Sequence, residues 1–253
     1  RDASFQLAAL HKVAEVLPVA AQLLGKPADP RWADVSRRLP PYATFEGSWI
    51  DEWPGMRSKR IALWEGQDLI ESHRHHSHLG SIYPFATIDP ADPQHKGIAQ
   101  ASINRWVNRG TGMWSGWCVP WASVLHNRMN NTEAAVNMLH WWHANFVNEG
   151  RGTLHNANKL GVSVLSNPIW DKLPPGTPNG EIMQLDAGFG ALSAVLELLV
   201  QQRRDAIHVL PHLHYQWKNV SFRNIRTEGA FLISAQAVDG RVAEVRVKSL
   251  QGG

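Results

Sequence analysis

Apolar side chains at Phe5, Leu7, Leu10, Val13, Ala14, Leu17, Ala20, Ala21 and Leu24 recur at the three-to-four-residue spacing of a helix face. This predicts a helix over residues 3–24, with Pro18 expected to kink or split it and Gly25 and Pro27 to end it. Asp29-Pro30 reads as the N-cap and first turn of a short second helix through Trp32 and Val35, stopped by Pro40-Pro41. Residues 41–90 lose the helical period. In its place stand short motifs: Glu46-Gly47-Ser48-Trp49, Asp51-Glu52-Trp53 and Trp64-Glu65-Gly66-Gln67-Asp68. A long irregular stretch inside a compact domain is usually functional; the plainer reading is a surface excursion with aromatic anchors.

The helical period returns over residues 93–107 at Ile98, Ala101, Ile103 and Val107, and Arg109-Gly110-Thr111-Gly112 breaks it. Trp114-Ser115-Gly116-Trp117 opens another helix through Trp121, Val124 and Leu125. Asn131-Thr132 with Glu133 caps the next, which carries Ala135, Val136, Leu139, Trp142 and Phe146. Residues 148–179, rich in Gly, Asn and Pro, read as a loop, and residues 189–200 as an apolar helix. About six helices are thus predicted before residue 205, with no alternating strand among them. Beyond it, Phe231-Leu232-Ile233 and Val242, Val245, Val247 are strand-like and join through Asp239-Gly240, a strong hairpin signal. The expected architecture is mainly α: helices over residues 1–205, then a small antiparallel β module over 206–253.

Composition narrows this picture. The 253 residues, 43% hydrophobic and 19% charged, suit an ordinary globular protein. A formal charge of +3, with Lys and Arg scattered, gives no case for nucleic acid. The single cysteine, Cys118, excludes an intrachain disulfide, and no apolar run is long enough to span a membrane. The first residue is Arg and the first segment already reads as mid-helix, which predicts processing or a fragment. Twelve Trp against three Tyr is unusual. Core packing accounts for most single indoles, but a flat indole also stacks on the apolar face of a sugar ring.

The candidate chemistry gathers at His73-Arg74-His75-His76-Ser77-His78-Leu79. Three readings fit. Neutral imidazoles could bind zinc or copper, although the usual spacings are absent and no Cys joins in. The histidines could instead form a satisfied structural network. In the third reading, Arg74 and one or more His donate to the hydroxyls or carboxylate of a polar ligand. A second constellation is Met183-Gln184-Leu185-Asp186-Ala187-Gly188-Phe189-Gly190. Asp186 there is either a helix N-cap or a functional carboxylate beside glycines that let something approach the backbone.

The histidine stretch with Tyr83-Pro84, Gly110-Thr111-Gly112 with Trp114-Ser115, the stretch 184–190 and Leu210-Pro211 together resemble glycoside hydrolase family 95, best known for α-L-fucosidases. Order and spacing are similar to the second half of that family's (α/α)6 barrel and its C-terminal β domain. The resemblance implies inverting hydrolysis of a terminal α-linked sugar, of α-L-fucoside or α-L-galactoside type, with no cofactor and no metal. It places Asp186 on the base side, acting through asparagines that hold the water, and Arg74 and His75 on the sugar. His73, Trp64, Trp114 and Gln184 complete the expected sugar-binding set. The general acid, the asparagines and the other half of the barrel are expected upstream of Arg1 or on another chain, since a half barrel would expose a large apolar face. A secreted or periplasmic location follows by the same resemblance.

The chain departs from the family pattern at three places. Gly180 stands where the family has a sugar-binding histidine, Ala187-Gly188 replaces Gly-Asn, and Trp114-Ser115-Gly116-Trp117-Cys118 is a shortened motif. A non-catalytic carbohydrate-binding relative, or another (α/α)6 enzyme such as a phosphorylase or a lyase, would keep many of the same features.

Overall fold

The computed structural model describes residues 3–48, 55, 57–159, 161–165, 181–203 and 206–252. Trp49, Asp51-Glu52-Trp53, residues 166–179 of the long loop and Gly180 lie outside them. The chain forms two compact units, Arg1–Met113 and Trp114–Gly253.

The first unit begins with α1 (Ser4–Leu23), which runs unbroken through Pro18. Proline there forfeits its own N–H bond to the preceding turn, and the bonds on either side carry the helix across. Helix α1 buries the stripe Ser4, Leu7, Ala8 and Ala21. Its start is pinned by Ser4, whose N–H donates to Leu63 O at 2.9 Å and whose hydroxyl donates to Ala62 O at 2.6 Å. Other apolar positions of α1 are open: Phe5 is 47% exposed, Val13 52% and Leu23 82%. Helix α2 (Pro30–Arg38) has Asp29 as N-cap, accepting from the Arg31 N–H, with proline in the first turn, as the sequence predicts.

Strands β1 (Thr44–Ser48) and β2 (Arg57–Ile61) then pair antiparallel. No strand is predicted there, because Arg57-Ser58-Lys59-Arg60 offers no apolar alternation. What buries the end of β2 is an ion pair: Arg60, 1% exposed, grips Asp68 through Nε and Nη2 at 3.0 and 2.8 Å. A 3₁₀ turn, Ser77–Ser81, leads on to α3 (Pro93–Asn108), capped by Asp92.

The second unit holds α4 (Cys118–Arg128), α5 (Thr132–Phe146) and α6 (Leu185–Leu199). Helix α4 begins four residues later than the Trp114 motif suggests, and α6 four residues before Phe189. The buried residues of α6, Ala187, Ala191, Ala194 and Leu198, recur at helical spacing. The three alanines let α6 lie close on α4. Arg128 and Glu197 lock the two helices with a bidentate pair, 2.7 Å in each arm, and the Asn127 amide donates to Glu197 O at 2.8 Å.

Strands β3 (Val200–Arg203) and β4 (Ala206–Val209) pair directly after α6. The C-terminal sheet has the order β5 (Val220–Thr227), β6 (Phe231–Val238), β7 (Arg241–Ser249), all antiparallel. The predicted Asp239-Gly240 turn joins β6 to β7 with φ of 51° and 76°, the two positive values that a type I′ turn requires. Ala235 and Ala237 of β6 pack with Leu210 as a small core, flanked by Leu199, Leu213 and Phe222. Among the described residues there are six α-helices, and none is long and apolar enough to cross a membrane.

Candidate active site

The C-terminal half of α3 positions the histidine stretch. Arg105 Nε donates to Leu69 O at 2.9 Å, and Arg109 Nη1 donates to Ile70 O at 3.1 Å. The Ser72 hydroxyl donates to Gly110 O at 2.9 Å and accepts from the Met113 N–H at 3.1 Å. The segment before His73 is therefore stitched residue by residue to α3 and the turn behind it.

The stretch then divides. His73, Arg74 and His75 are exposed, whereas His76 and His78 are buried. His76 is structural: its Nδ1 accepts from Trp106 Nε1 at 2.9 Å in the core. His78 enters the 3₁₀ turn at 3% exposure, and desolvation pushes its pKa down to about 4, against the upward pull of Asp68. It is neutral at neutral pH. In the exposed triplet the His75 N–H donates to His73 Nδ1 at 3.0 Å, so the His73 proton sits on Nε2, available as a donor. The two rings lie 5.2 Å apart. A structural reading thus fits the buried pair and a ligand-facing reading the exposed triplet. No group of three or more metal-ligating side chains is gathered among the described residues.

Trp64 is 46% exposed at the tip of a tight turn that bridges it to Gln67, with Gly66 at φ 79°. Beside this turn lies a cavity of about 320 Å³ lined by Phe45, Arg60, Gln67, Asp68 and Arg105. The second ion pair of Asp68, with Arg105 Nε at 3.0 Å, closes the inner wall of that cavity.

In the second unit, residues 153–155 and 182–184 form a short antiparallel ladder. The Gln184 N–H donates to Thr153 O at 2.7 Å, and the His155 N–H to Ile182 O at 2.8 Å. The loop before α4 docks on it: the Gly116 N–H donates to His155 O at 2.9 Å, and the Trp117 N–H to Gln184 Oε1 at 2.9 Å. The Gln184 side chain is thereby anchored to the α4 loop. Gly116 is obligatory here, since a Cβ would stand 1.8 Å from Leu154 O.

Asp186 is the second residue of α6, not its N-cap; Gln184 holds that position. The carboxylate of Asp186 is exposed and makes no hydrogen bond or ion pair among the described residues. The expectation that Gly188 and Gly190 leave room for a ligand is corrected. A Cβ at Gly188 would meet the Thr153 side chain at 3.2 Å, and one at Gly190 would meet Pro120 at 3.3 Å. What comes close is the protein itself. Trp114 is 3% exposed and packs edge-on to Trp141, centroids 6.5 Å apart, so its indole is packed rather than presented.

The sequence reading missed His155. Its Nδ1 lies 2.7 Å from Asn156 Oδ1, which fixes the ring half-buried on the ladder that carries Gln184. No spacing rule marks it, because its partner is its own neighbour and its place depends on a strand pairing across the long loop.

The exposed triplet His73-Arg74-His75 and the open carboxylate of Asp186 are hydrogen-bonding groups of the kind that hold and act on polyhydroxylated ligands. The chain belongs to glycosyl hydrolase family 95, whose catalytic-domain model matches residues 3–199. It is similar to alpha-L-fucosidase 2 of Arabidopsis thaliana, at 26% identity over 99% of this chain and 27% of that protein. It is also similar to the probable alpha-fucosidase A of Aspergillus oryzae, at 26% identity over 96% of this chain and 34% of that protein. The chain thus spans about a quarter to a third of the length of these relatives.

Proposed function

We propose that this chain supplies the base side of an inverting glycoside hydrolase that removes a terminal α-linked sugar, of α-L-fucoside or α-L-galactoside type, from an oligo- or polysaccharide. The observation that carries the reading is Asp186: an exposed carboxylate without a partner among the described residues, in the first turn of a helix that buries one face and leaves the other open. An N-cap aspartate would be bonded to the helix backbone; this one is not, and its carboxylate stays open to a water molecule or a relay that holds one. In an inverting reaction a carboxylic acid protonates the leaving oxygen while a base-side carboxylate takes a proton from water attacking the opposite face of the ring. Arg74, with the Nε2–H of His73, supplies donors for sugar hydroxyls, and His75 and Trp64 complete the sugar-contacting set. Gln184 serves by anchoring the start of α6.

In this reading residues 1–205 belong to an (α/α)6 barrel and residues 206–253 to its β module. The exposed apolar faces of α1 and of α6, where Leu185, Phe189 and Leu192 are 59%, 67% and 58% exposed, pack against the remainder of that barrel. Membership of the family suits an enzyme acting on glycans, and by the same resemblance a secreted or periplasmic one.

The test is Asp186→Asn in the complete enzyme, assayed on nitrophenyl α-L-fucoside and α-L-galactoside, with the product anomer followed by NMR. General-base assistance is worth roughly 10²–10⁴-fold, so kcat should fall by about that factor with the melting temperature unchanged. A wild-type kcat in this variant, or release of the sugar with its anomeric configuration retained, would refute the assignment.

A further inference from the structure

The charge of the chain is scattered along the sequence and gathered by the fold. Residues 206–253 hold six of the 25 Lys and Arg but only three of the 22 Asp and Glu, so they carry the whole +3 while residues 1–205 balance. Strand pairing concentrates this further. Ile225, Ile233 and Val247 form one lateral row of the C-terminal sheet and Phe222, Ala235 and Val245 the next, which fixes the apolar face, buried at Ile233 and Ala235 and open at Val245 and Val247.

The alternate positions share the outer face. There Arg226, Leu232 and Lys248 form a row, Arg246 lies opposite Ser234, and Glu244 lies opposite Gln236. Arg223 follows the inward-facing Phe222 at an irregularity in β5, where the Asn224 N–H donates to the Ser234 hydroxyl at 3.0 Å. All four of these cations are exposed, as is Arg241, which lies opposite Val238 at the end of the same face. Arg246 is held by Glu244 at 2.6 Å, while Arg223, Arg226 and Lys248 make no ion pair with any described residue.

We propose that this outer face binds an anionic polysaccharide, a glycan whose sulfate or carboxylate groups recur along the chain, and so holds the polymer that the enzyme works on. The choice of ligand rests on the glycosidase reading above. The face is open and the charges are spread: strand spacing puts Arg226 and Lys248 about 10 Å apart, with Arg246 roughly 7 Å further along β7. Each exposed contact is weak by itself, so a single small anion would be held weakly and a repeating polyanion strongly. Between the charges, Ser234 and Gln236 offer hydrogen bonds to sugar hydroxyls. The outer face carries no aromatic ring on which a nucleic-acid base could stack, which disfavours single-stranded nucleic acid. Its apolar side chains are Leu232 and, at the far end of β6, Val238, too few and too far apart for insertion into a membrane.

The complete enzyme and its triple variant Arg223→Gln/Arg226→Gln/Lys248→Gln would be compared by affinity electrophoresis in dextran sulfate, alginate and neutral dextran at several salt concentrations. The wild type should be retarded by both anionic polymers at least tenfold more than by dextran, with retardation falling steeply as salt rises. The triple variant should lose most of that retardation and flatten the salt dependence. Its hydrolysis of nitrophenyl α-L-fucoside should stay at the wild-type rate, because none of the three residues belongs to the proposed sugar site. Lys248→Gln alone, at an exposed position that cannot disturb folding, should weaken retention about two- to threefold. Equal retention of wild type and variants, or equal retardation by dextran and dextran sulfate, would overturn the proposal. So would tighter binding of duplex DNA or of anionic phospholipid vesicles than of dextran sulfate at the same salt. Absence of hydrolysis in every protein, with polymer binding intact, would instead remove the activity reading and leave the binding face standing.

Discussion

Replacing Gly116 by alanine should destabilise the second unit more than any other single-methyl change among its glycines. The added Cβ would stand 1.8 Å from Leu154 O and 3.1 Å from Gln184 Oε1. An ordinary carbon–oxygen contact needs well over 3 Å, so the 116–117 loop must retreat by more than an ångström from a backbone carbonyl that is itself held in a ladder. Overpacking of this kind costs ~1–3 kcal/mol. The retreat also strains the two bonds made by the Gly116 and Trp117 N–H groups, and each buried donor left without its acceptor costs ~1–3 kcal/mol. Together these give roughly 3–9 kcal/mol, a large part of the 5–15 kcal/mol that holds a typical domain. The assay is urea unfolding followed by tryptophan fluorescence, with Gly97→Ala as the reference. Gly97 is an exposed position of α3 with nothing within 4 Å of its would-be Cβ, so alanine there should stabilise by about 0.5–1 kcal/mol. Were Gly116→Ala to unfold within about 1 kcal/mol of wild type, the close approach of the α4 loop to the ladder would be refuted.

Two further predictions concern stability alone. His78 is held at about 4 in the fold against an ordinary 6.5, so the unfolded chain takes up its proton first on acidification. The stability that His78 contributes is complete above about pH 6.5 and lost as pH falls towards about 4, at most about 3 kcal/mol; urea midpoints across this window should show the loss, and His78→Gln should flatten it. His126, also pushed down by burial, adds in the same direction. Glu197→Ala strips Arg128 of its bidentate partner in a largely buried setting and should cost roughly 3–5 kcal/mol. A double variant with Arg128→Met should recover part of that cost, and a double variant no more stable than Glu197→Ala would show that the buried charge is not what hurts.

Periodicity made the helices and the last hairpin legible, because their side chains either follow a face or satisfy a turn. The spacing of Leu7 and Ala21, the Asp29 and Asn131 caps and the Asp239-Gly240 turn are local properties, and each stands in the structure where it is predicted. Strands β1 and β2 were not legible, since the end of β2 is buried by an ion pair with Asp68 rather than by an apolar stripe. Within the histidine stretch the motif was visible but its division was not. Whether His75 or His76 turns inward depends on where the 3₁₀ turn begins and on an indole thirty residues away. The glycines of the Asp186 motif were readable as close approaches, but the approaching groups, Thr153 and Pro120, come from other parts of the chain. His155 left no mark at all.

The ladder between residues 153–155 and 182–184 also works as a port. The chain leaves at His155 and returns at Ile182, two residues whose backbones are hydrogen-bonded to each other at 2.8 Å. Whatever occupies the interval begins and ends at a fixed gate, and lengthening a closed loop costs only about 0.6 kcal/mol per doubling. Just inside the gate Asn156 and Ala157 are buried and the Asn158 N–H donates to Asn145 O at 2.7 Å, so an exchange that spares Gln184 and the start of α6 has to keep these residues and fall beyond Leu165. Grafting at this gate would alter the loop while Asp186 stays where it is.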